Sequence, residues 1–243
     1  MRKVEQVNPY LEDNRSKEQQ VADMFDAIAP AYDFMNSAMS FGMDRAWQRR
    51  LVEAACEVAP DAVLDLATGT GEVALALRRS LPEAEITGLD ISEGMLAKAR
   101  EKKGAESINF VCADALATGL ASESIDVITI AYGVRNYADL SAGMAEMFRV
   151  LRPGGRVCIL ELSEPSNCLL HFGYKVYTRT LVPFVGRLTS GDSRAYTYLP
   201  ESIAACPQRK AMTDLMAQAG FGDSRYRSLT LGVCTLYTAT KPK

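Results

Sequence analysis

Residues 63–72 read VLDLATGTGE: an apolar run stops at an acid, Asp65, and is followed by two glycines with one residue between them. The helical pattern of 72–80 (EVALALRRS) comes directly after, so the stretch predicts a strand, a tight turn and a helix. Gly69-Thr70-Gly71-Glu72-Val73-Ala74 satisfies the GxGxxA pattern of a dinucleotide turn, a weak signal when alone. Asp65 argues against that ligand. A dinucleotide turn must admit a pyrophosphate, and an acid at its mouth sets negative charge beside negative phosphate. A cofactor that carries an ammonium and a sulfonium, and no phosphate, tolerates or prefers the acid. The turn therefore leans away from a dinucleotide and toward a cationic cofactor without phosphate. No GK[ST] follows the glycines, which removes a P-loop, and no GxSxG elbow supports a serine hydrolase.

Outward from this turn, apolar runs and helical patterns alternate. Strands are expected at 62–66, 85–90, 107–112, 125–131 and 155–162, with helices at 72–80, 92–103 and 139–152. Ser92 suits a helix start, and Pro153-Gly154-Gly155 is expected to end the later helix. A helix over 207–219 and two β-rich runs, 223–230 and 233–240, predict antiparallel strands added to a parallel sheet edge. The fold class is thus α/β, a Rossmann-like, mainly parallel sheet with an antiparallel C-terminal strand, N-terminal helices and a helical insert. In such a sheet, ligands bind beyond the carboxyl ends of the strands. Asp65, Gly69, Thr70 and Gly71 fall at the first strand end, Asp90 at the second, Asp114 just past the third, and Tyr132 to Asn136 after the fourth. Asp90 suits a carboxylate bridging ribose hydroxyls, and Asp114 an acceptor for an adenine amine; each strand end is weak evidence alone, and together they favour S-adenosyl-L-methionine.

Composition narrows the class further. Across 243 residues, 48% are hydrophobic and 23% charged, as in ordinary globular proteins, with a net charge of -3. That balance gives no electrostatic reason to expect nucleic acid. The first residues, MRKVEQVNPYLEDN, lack an apolar core, and no apolar run is long enough to span a bilayer, so neither a signal peptide nor a membrane span is expected. The six cysteines form no CxxC pair and the only histidine is His171, so no metal site is expected and a reducing cytoplasmic compartment fits.

Two regions lie outside the cofactor core of 62–162. Residues 15–58 read as a helical cap broken near Pro30 and contain YDFMNSAMSFGMDRAWQR, Tyr32 to Arg49. The insert 163–206 is rich in aromatics, including Phe172, Tyr174, Tyr177 and Tyr198, and reads either as packing or as a lid over an apolar ligand. With 207–243, these make one domain over 1–243.

The N-terminal stretch, together with YGVRN (132–136), RVLRPGGRVCILELS (149–163) and YTYLPESI (196–203), resembles the C-methyltransferases of ubiquinone and menaquinone biosynthesis over nearly the whole chain. By that resemblance, Thr70, Asp90, Asp114 and Ala115 contact S-adenosyl-L-methionine. Two positions depart from the family pattern: Asp44 stands where histidine is usual, and Ala131 where many members place a serine. The resemblance implies C-methylation of a polyprenyl quinol, demethylmenaquinol or a benzoquinol, by a cytoplasmic protein peripheral to the inner face of the membrane. It admits a homodimer and other aromatic or lipid acceptors. A silent cofactor-binding subunit is the alternative outside catalysis. A ring carbon becomes nucleophilic when an ortho hydroxyl gives up its proton, so a cation that favours phenolate lowers the barrier. Arg135 is expected in that role, with Asn136 orienting the hydroxyl and Tyr32 and Asp33 closing the cap. Transient membrane contact is expected through Leu181, Val182, Phe184 and Val185.

Overall fold

The computed structural model describes residues 3–10, 12–181 and 194–243. Its strands β1 (Ala62–Leu66), β2 (Glu85–Asp90), β3 (Asn109–Cys112), β4 (Ile125–Ala131) and β5 (Leu151–Leu162) pair in parallel. β6 (Gly222–Leu229) and β7 (Cys234–Thr240) complete a seven-stranded sheet in the order β3-β2-β1-β4-β5-β7-β6. β7 is antiparallel to both β5 and β6, so the expected antiparallel ending is present. The chain leaves β1 toward β2 on one side and returns to β4 on the other. That reversal opens a crevice at the carboxyl ends of β1 and β4.

Side chains alternate across the strands and bury both faces. Leu64, Leu66, Ile128, Ile130, Val157 and Ile159 pack on Met144 and Met147 of α6 (Leu140–Val150) and Met212 and Met216 of α9 (Lys210–Gln218). Val63, Val127, Cys158 and Leu160 pack on Trp47 and Leu51 of α3 (Asp44–Cys56) and Leu77 of α4 (Glu72–Ser80). Truncating a fully buried leucine such as Leu64 to alanine costs about 2–5 kcal/mol, which makes this sheet a stiff floor for the site.

The cap comprises α1 (Lys17–Ile28), a 3-10 turn at Ala29–Ala31, α2 (Tyr32–Ser40) and α3. Pro30 marks the expected break. A second break, absent from the sequence reading, falls at Phe41 and Gly42, whose φ values of 52° and 74° reverse the chain between α2 and α3. After β5 come α7 (Cys168–Val176), a π turn at Tyr177–Leu181 and α8 (Arg194–Ala205). Ser92 caps α5 (Glu93–Arg100) by accepting the Met95 amide at 3.1 Å.

One boundary departs from the sequence reading. α6 ends at Val150, and Pro153-Gly154-Gly155 lies within β5 instead of closing the helix. Leu151 is already extended at φ −68° and ψ 138° and pairs with Ile125 of β4, two residues before the proline. The strand thus begins where the helix stops. α5 also stops at Arg100, short of 103, and β3 starts at Asn109, because a 3-10 turn takes Ala105–Ser107. No helix among the described residues is long and apolar enough to cross a membrane.

Candidate active site

The turn after β1 is held in a conformation that glycine permits. Gly69 and Gly71 have φ of 56° and 77°, and a Cβ on Gly71 would meet Ala99 Cβ at 3.1 Å and the Phe110 ring at 3.2 Å. Gly71 therefore lets α4 start tight against the sheet. Asp65, 1% exposed, accepts hydroxyls from Thr68 and Thr129, both at 2.6 Å. Burial pushes its carboxyl up to about 6, against the pull of those two hydroxyls. Asp90 accepts the Gly69 amide at 2.7 Å and the Ser92 amide at 2.9 Å, and burial raises it to about 6 as well. Asp114 accepts the Leu116 amide at 2.9 Å and, with Ala115, Asp90 and Gly69, lines a cleft of about 660 Å³, counting its open mouth.

A polar cleft adjoins it, lined by Asp65, Thr68, Gly69 and Thr70 from the turn and by Asp33 and Asp44 from the cap. Thr70 donates its hydroxyl to Asp33, which also takes Lys102 Nζ at 2.6 Å. Lys102 reaches Glu72 too, so one ammonium ties the cap to the turn. Ala131 lines both clefts with a bare methyl group.

Beyond them lies an apolar cavity of about 1000 Å³, counting its open mouth. Met24 and Ile28 of α1, Met35 and Met39 of α2, Trp47 of α3, Tyr174 of α7, and Leu199 and Ile203 of α8 form its walls. Tyr32 and Tyr132 border all three spaces, and Asn136 borders the first cleft and this cavity. Tyr132 has φ of 59°, and its buried hydroxyl has no hydrogen-bond partner among the described residues. Tyr132 is thus a strained residue with a buried, unpartnered donor where the three spaces meet.

Arg135 is 6% exposed and reaches the cavity wall. Its Nη1 donates to Glu161 Oε1 at 2.8 Å and to the Tyr132 carbonyl, and its own amide donates to Glu161 Oε2 at 3.2 Å. Its Nε is buried with no partner among the described residues. Glu161, 2% exposed, also accepts the Leu162 amide at 2.8 Å. The Arg135 charge is therefore shared with a buried carboxylate that the sequence reading missed. A signal for it existed: Glu161 is an acid closing an apolar strand, as Asp65 and Asp90 are.

Asn136 accepts the Tyr198 hydroxyl at 3.1 Å, which links the loop after β4 to α8. Lys17, also missed, donates from a buried ammonium to the carbonyls of Val4 at 2.7 Å, Tyr137 at 3.1 Å and Arg135 at 3.4 Å. Burial lowers its pKa to about 8. Of the residues expected at a membrane, Val182, Phe184 and Val185 lie outside the described residues, as does the side chain of Leu181.

The first cleft fits S-adenosyl-L-methionine by its own chemistry. Asp90 and Asp114 offer acceptors for hydroxyls and an amine, and the glycine turn itself carries no lysine or arginine for a phosphate; the one basic side chain among the described residues of the polar cleft, Arg45, comes from the cap. Residues 13–241 match the ubiE/COQ5 methyltransferase family. The chain is 42% identical to a demethylmenaquinone methyltransferase of Bacteroides fragilis, covering 98% of each chain. It is 45% identical to one of Thermus thermophilus, over 90% of this chain and all of the relative. It is 42% identical to a Geobacter sulfurreducens ubiquinone/menaquinone biosynthesis C-methyltransferase, over 93% of this chain and 90% of the relative. Among solved structures, the [4+2]-cyclase SpnF superposes with a TM-score of 0.67 at 18% identity, covering 93% of this chain and 96% of the other. A Thermotoga maritima SAM-dependent methyltransferase gives 0.65 at 16% identity, covering 90% and 99%. These two support the fold.

Proposed function

The chain belongs to the ubiE/COQ5 methyltransferase family, and from that premise we propose that it C-methylates demethylmenaquinol. The observation that carries this reading is the junction: Tyr32 and Tyr132 border both the polar clefts and the apolar cavity. An apolar ring and its isoprenoid tail would lie on one side of the two tyrosines, and the cofactor on the other. When bound, S-adenosyl-L-methionine supplies an electrophilic methyl group.

The chain's own part is positioning and electrostatics. Arg135 would hold the ring oxygen as negative charge develops there. Its unpartnered Nε is a donor ready for that oxygen, while Glu161 holds the residue at two points, the guanidinium through Nη1 and the backbone through its amide. Asn136, held by Tyr198, would orient the ring hydroxyl. The methionine- and tyrosine-lined walls would exclude water and receive the tail. Asp90 and Asp114 would take the ribose and adenine, and Asp65 and Thr70 would shape the methionine end.

A second acceptor, a polyprenyl benzoquinol, is favoured by the Geobacter sulfurreducens relative, whose name joins both quinone pathways. Transient membrane contact is supported by α7, where Leu169 and Phe172 are exposed, and by exposed Phe41, whose ring lies 6.0 Å from that of Tyr177 at the cavity wall. Liposome flotation that stays negative with quinol present would remove that contact. The function is tested by quinone profiling of a strain deleted for the gene. Demethylmenaquinone should accumulate and disappear on complementation; an unchanged quinone pool would overturn the reading.

A further inference from the structure

We infer that Asp44 takes the proton of the acceptor's ring hydroxyl, an assignment that rests on the quinol reading above. Asp44 opens α3, is 7% exposed, and borders both the polar cleft beside Asp65 and the apolar cavity beside Arg135. Its carboxylate is held from α2: Ser40 Oγ donates to Oδ1 at 2.8 Å and Ser37 Oγ to Oδ2 at 3.3 Å. A carboxylate has about four acceptor sites, so two hydroxyls leave capacity for a ligand O–H. Among the described residues that border the apolar cavity, Asp44 is the sole carboxylate and Arg135 the sole cation. The nearby acid, Glu161, is already engaged by Arg135 and the Leu162 amide.

A quinol hydroxyl, like a phenol with pKa near 10, cannot hand its proton fully to a carboxylate in the ground state. The transfer instead advances as electrons move toward the ring carbon, which is general-base catalysis. The O–H bond breaks and its proton goes to an Asp44 oxygen. The freed pair moves through the ring, so that the ortho carbon forms its bond to the methyl carbon while the methyl–sulfur bond breaks, its pair staying on sulfur. The methylated carbon then loses its hydrogen to solvent as a proton and the ring oxygen takes one back from solvent. Per turnover, one proton passes from Asp44 to solvent, and no oxidant or reductant is needed.

Charged and titratable groups share both spaces with Asp44. The polar cleft adds Tyr32, Asp33, Arg45, Asp65, Glu72 and Tyr132. The apolar cavity adds Arg135, Tyr174, Tyr177 and Tyr198. Because these groups surround Asp44 on both sides, the test compares variants at one residue.

Single-turnover methylation of a short-chain demethylmenaquinol is measured across pH for the unaltered chain, Asp44→Asn and Asp44→His, beside cofactor affinity by calorimetry. Asp44→Asn should slow methylation about a hundredfold or more, with cofactor affinity within about threefold of the unaltered chain, as expected when only a transition-state contact is lost. Asp44→His should recover most of the rate, with the acid limb moved toward the imidazole range near 6.5. A readout without cofactor or turnover is the absorbance of bound 4-methoxy-1-naphthol. It should shift to the red on the unaltered chain and lose that shift on Asp44→Asn. An unchanged Asp44→Asn rate, an unshifted Asp44→His profile, or cofactor affinity lost in step with rate would each overturn the assignment. Failure of the unaltered chain to methylate the quinol would overturn the substrate reading and this inference together; equal rates for all three chains would overturn the inference alone.

Discussion

Asp65, Asp90 and Asp114 stand at the carboxyl ends of adjacent strands β1, β2 and β3, and the turns that follow them line the clefts proposed for the cofactor. The apolar cavity draws its walls from α1, α2, α3, α7 and α8, brought together from both ends of the chain. The first region is built from backbone amides, turns and short side chains fixed by local sequence. The second is built from large side chains that meet through tertiary packing. Changes in the cofactor cleft should therefore act on affinity, and changes at the cavity wall should act on turnover.

The largest expected effect lies where the cavity meets the buried ion pair. Arg135→Ala should cut methylation about a hundredfold to a thousandfold while leaving cofactor affinity nearly unchanged. The same change strands Glu161, which is 2% exposed, and an unpaired buried charge costs about 3–5 kcal/mol of stability. Adding Glu161→Gln should recover most of that stability, read by urea denaturation, and none of the turnover. Recovery of both would mean that Arg135 serves the fold alone.

Next comes the cofactor side. Asp90→Ala removes the acceptor of the Gly69 and Ser92 amides and the acid offered to the ligand. Cofactor binding by calorimetry should weaken by about 1.5–3 kcal/mol, with the sheet intact by circular dichroism. Unchanged affinity would take Asp90 out of the site and blur the division between the two regions.

That division also explains what could be read in the chain itself. VLDLATGTGE announces its strand and its turn because both are decided within one strand–turn–helix unit, and its ligand class once the next strand ends are read with it. Asp90 and Asp114 follow from the same rule applied at the next strand ends. Glu161 and Lys17 were not legible as partners of the loop after β4. Glu161 lies across the β4–β5 pair, and Lys17 is 118 residues from the Arg135 carbonyl that it meets. No local pattern encodes such pairings; they exist only once the sheet and cap are assembled. The helix ends before the PGG for a similar reason: Leu151 pairs with Ile125 of β4, a strand contact that helical periodicity does not encode.

A smaller effect is expected from pH. Burial holds Asp65 and Asp90 near 6, above the ordinary carboxylate value of 3.8. Each contributes stability that is full below that ordinary value and lost as pH rises through about 6. Affinity for a cationic cofactor should run the other way, because only the ionised acids attract it. It should fall up to about tenfold per pH unit below 6 for each carboxylate that must be ionised, with proton release on binding near pH 6. Flat affinity from pH 5 to 7 would mean that neither acid senses the cofactor's charge. The smallest change belongs to Lys102, which bridges Asp33 and Glu72 at a partly exposed site. Lys102→Met should cost at most about 1 kcal/mol in stability and raise the cofactor Kd only a few-fold.

The central claim is that the two regions meet so that the cofactor's methyl group reaches a ring carbon in the apolar cavity. It is tested most directly by a single turnover with methyl-labelled S-adenosyl-L-methionine and short-chain demethylmenaquinol, kept reduced, with the product read by mass spectrometry. One labelled methyl should appear on the ring carbon of the quinol, and none on the oxidised quinone offered in parallel. Label on an oxygen, equal transfer to the quinone, or no transfer to the quinol would contradict the account.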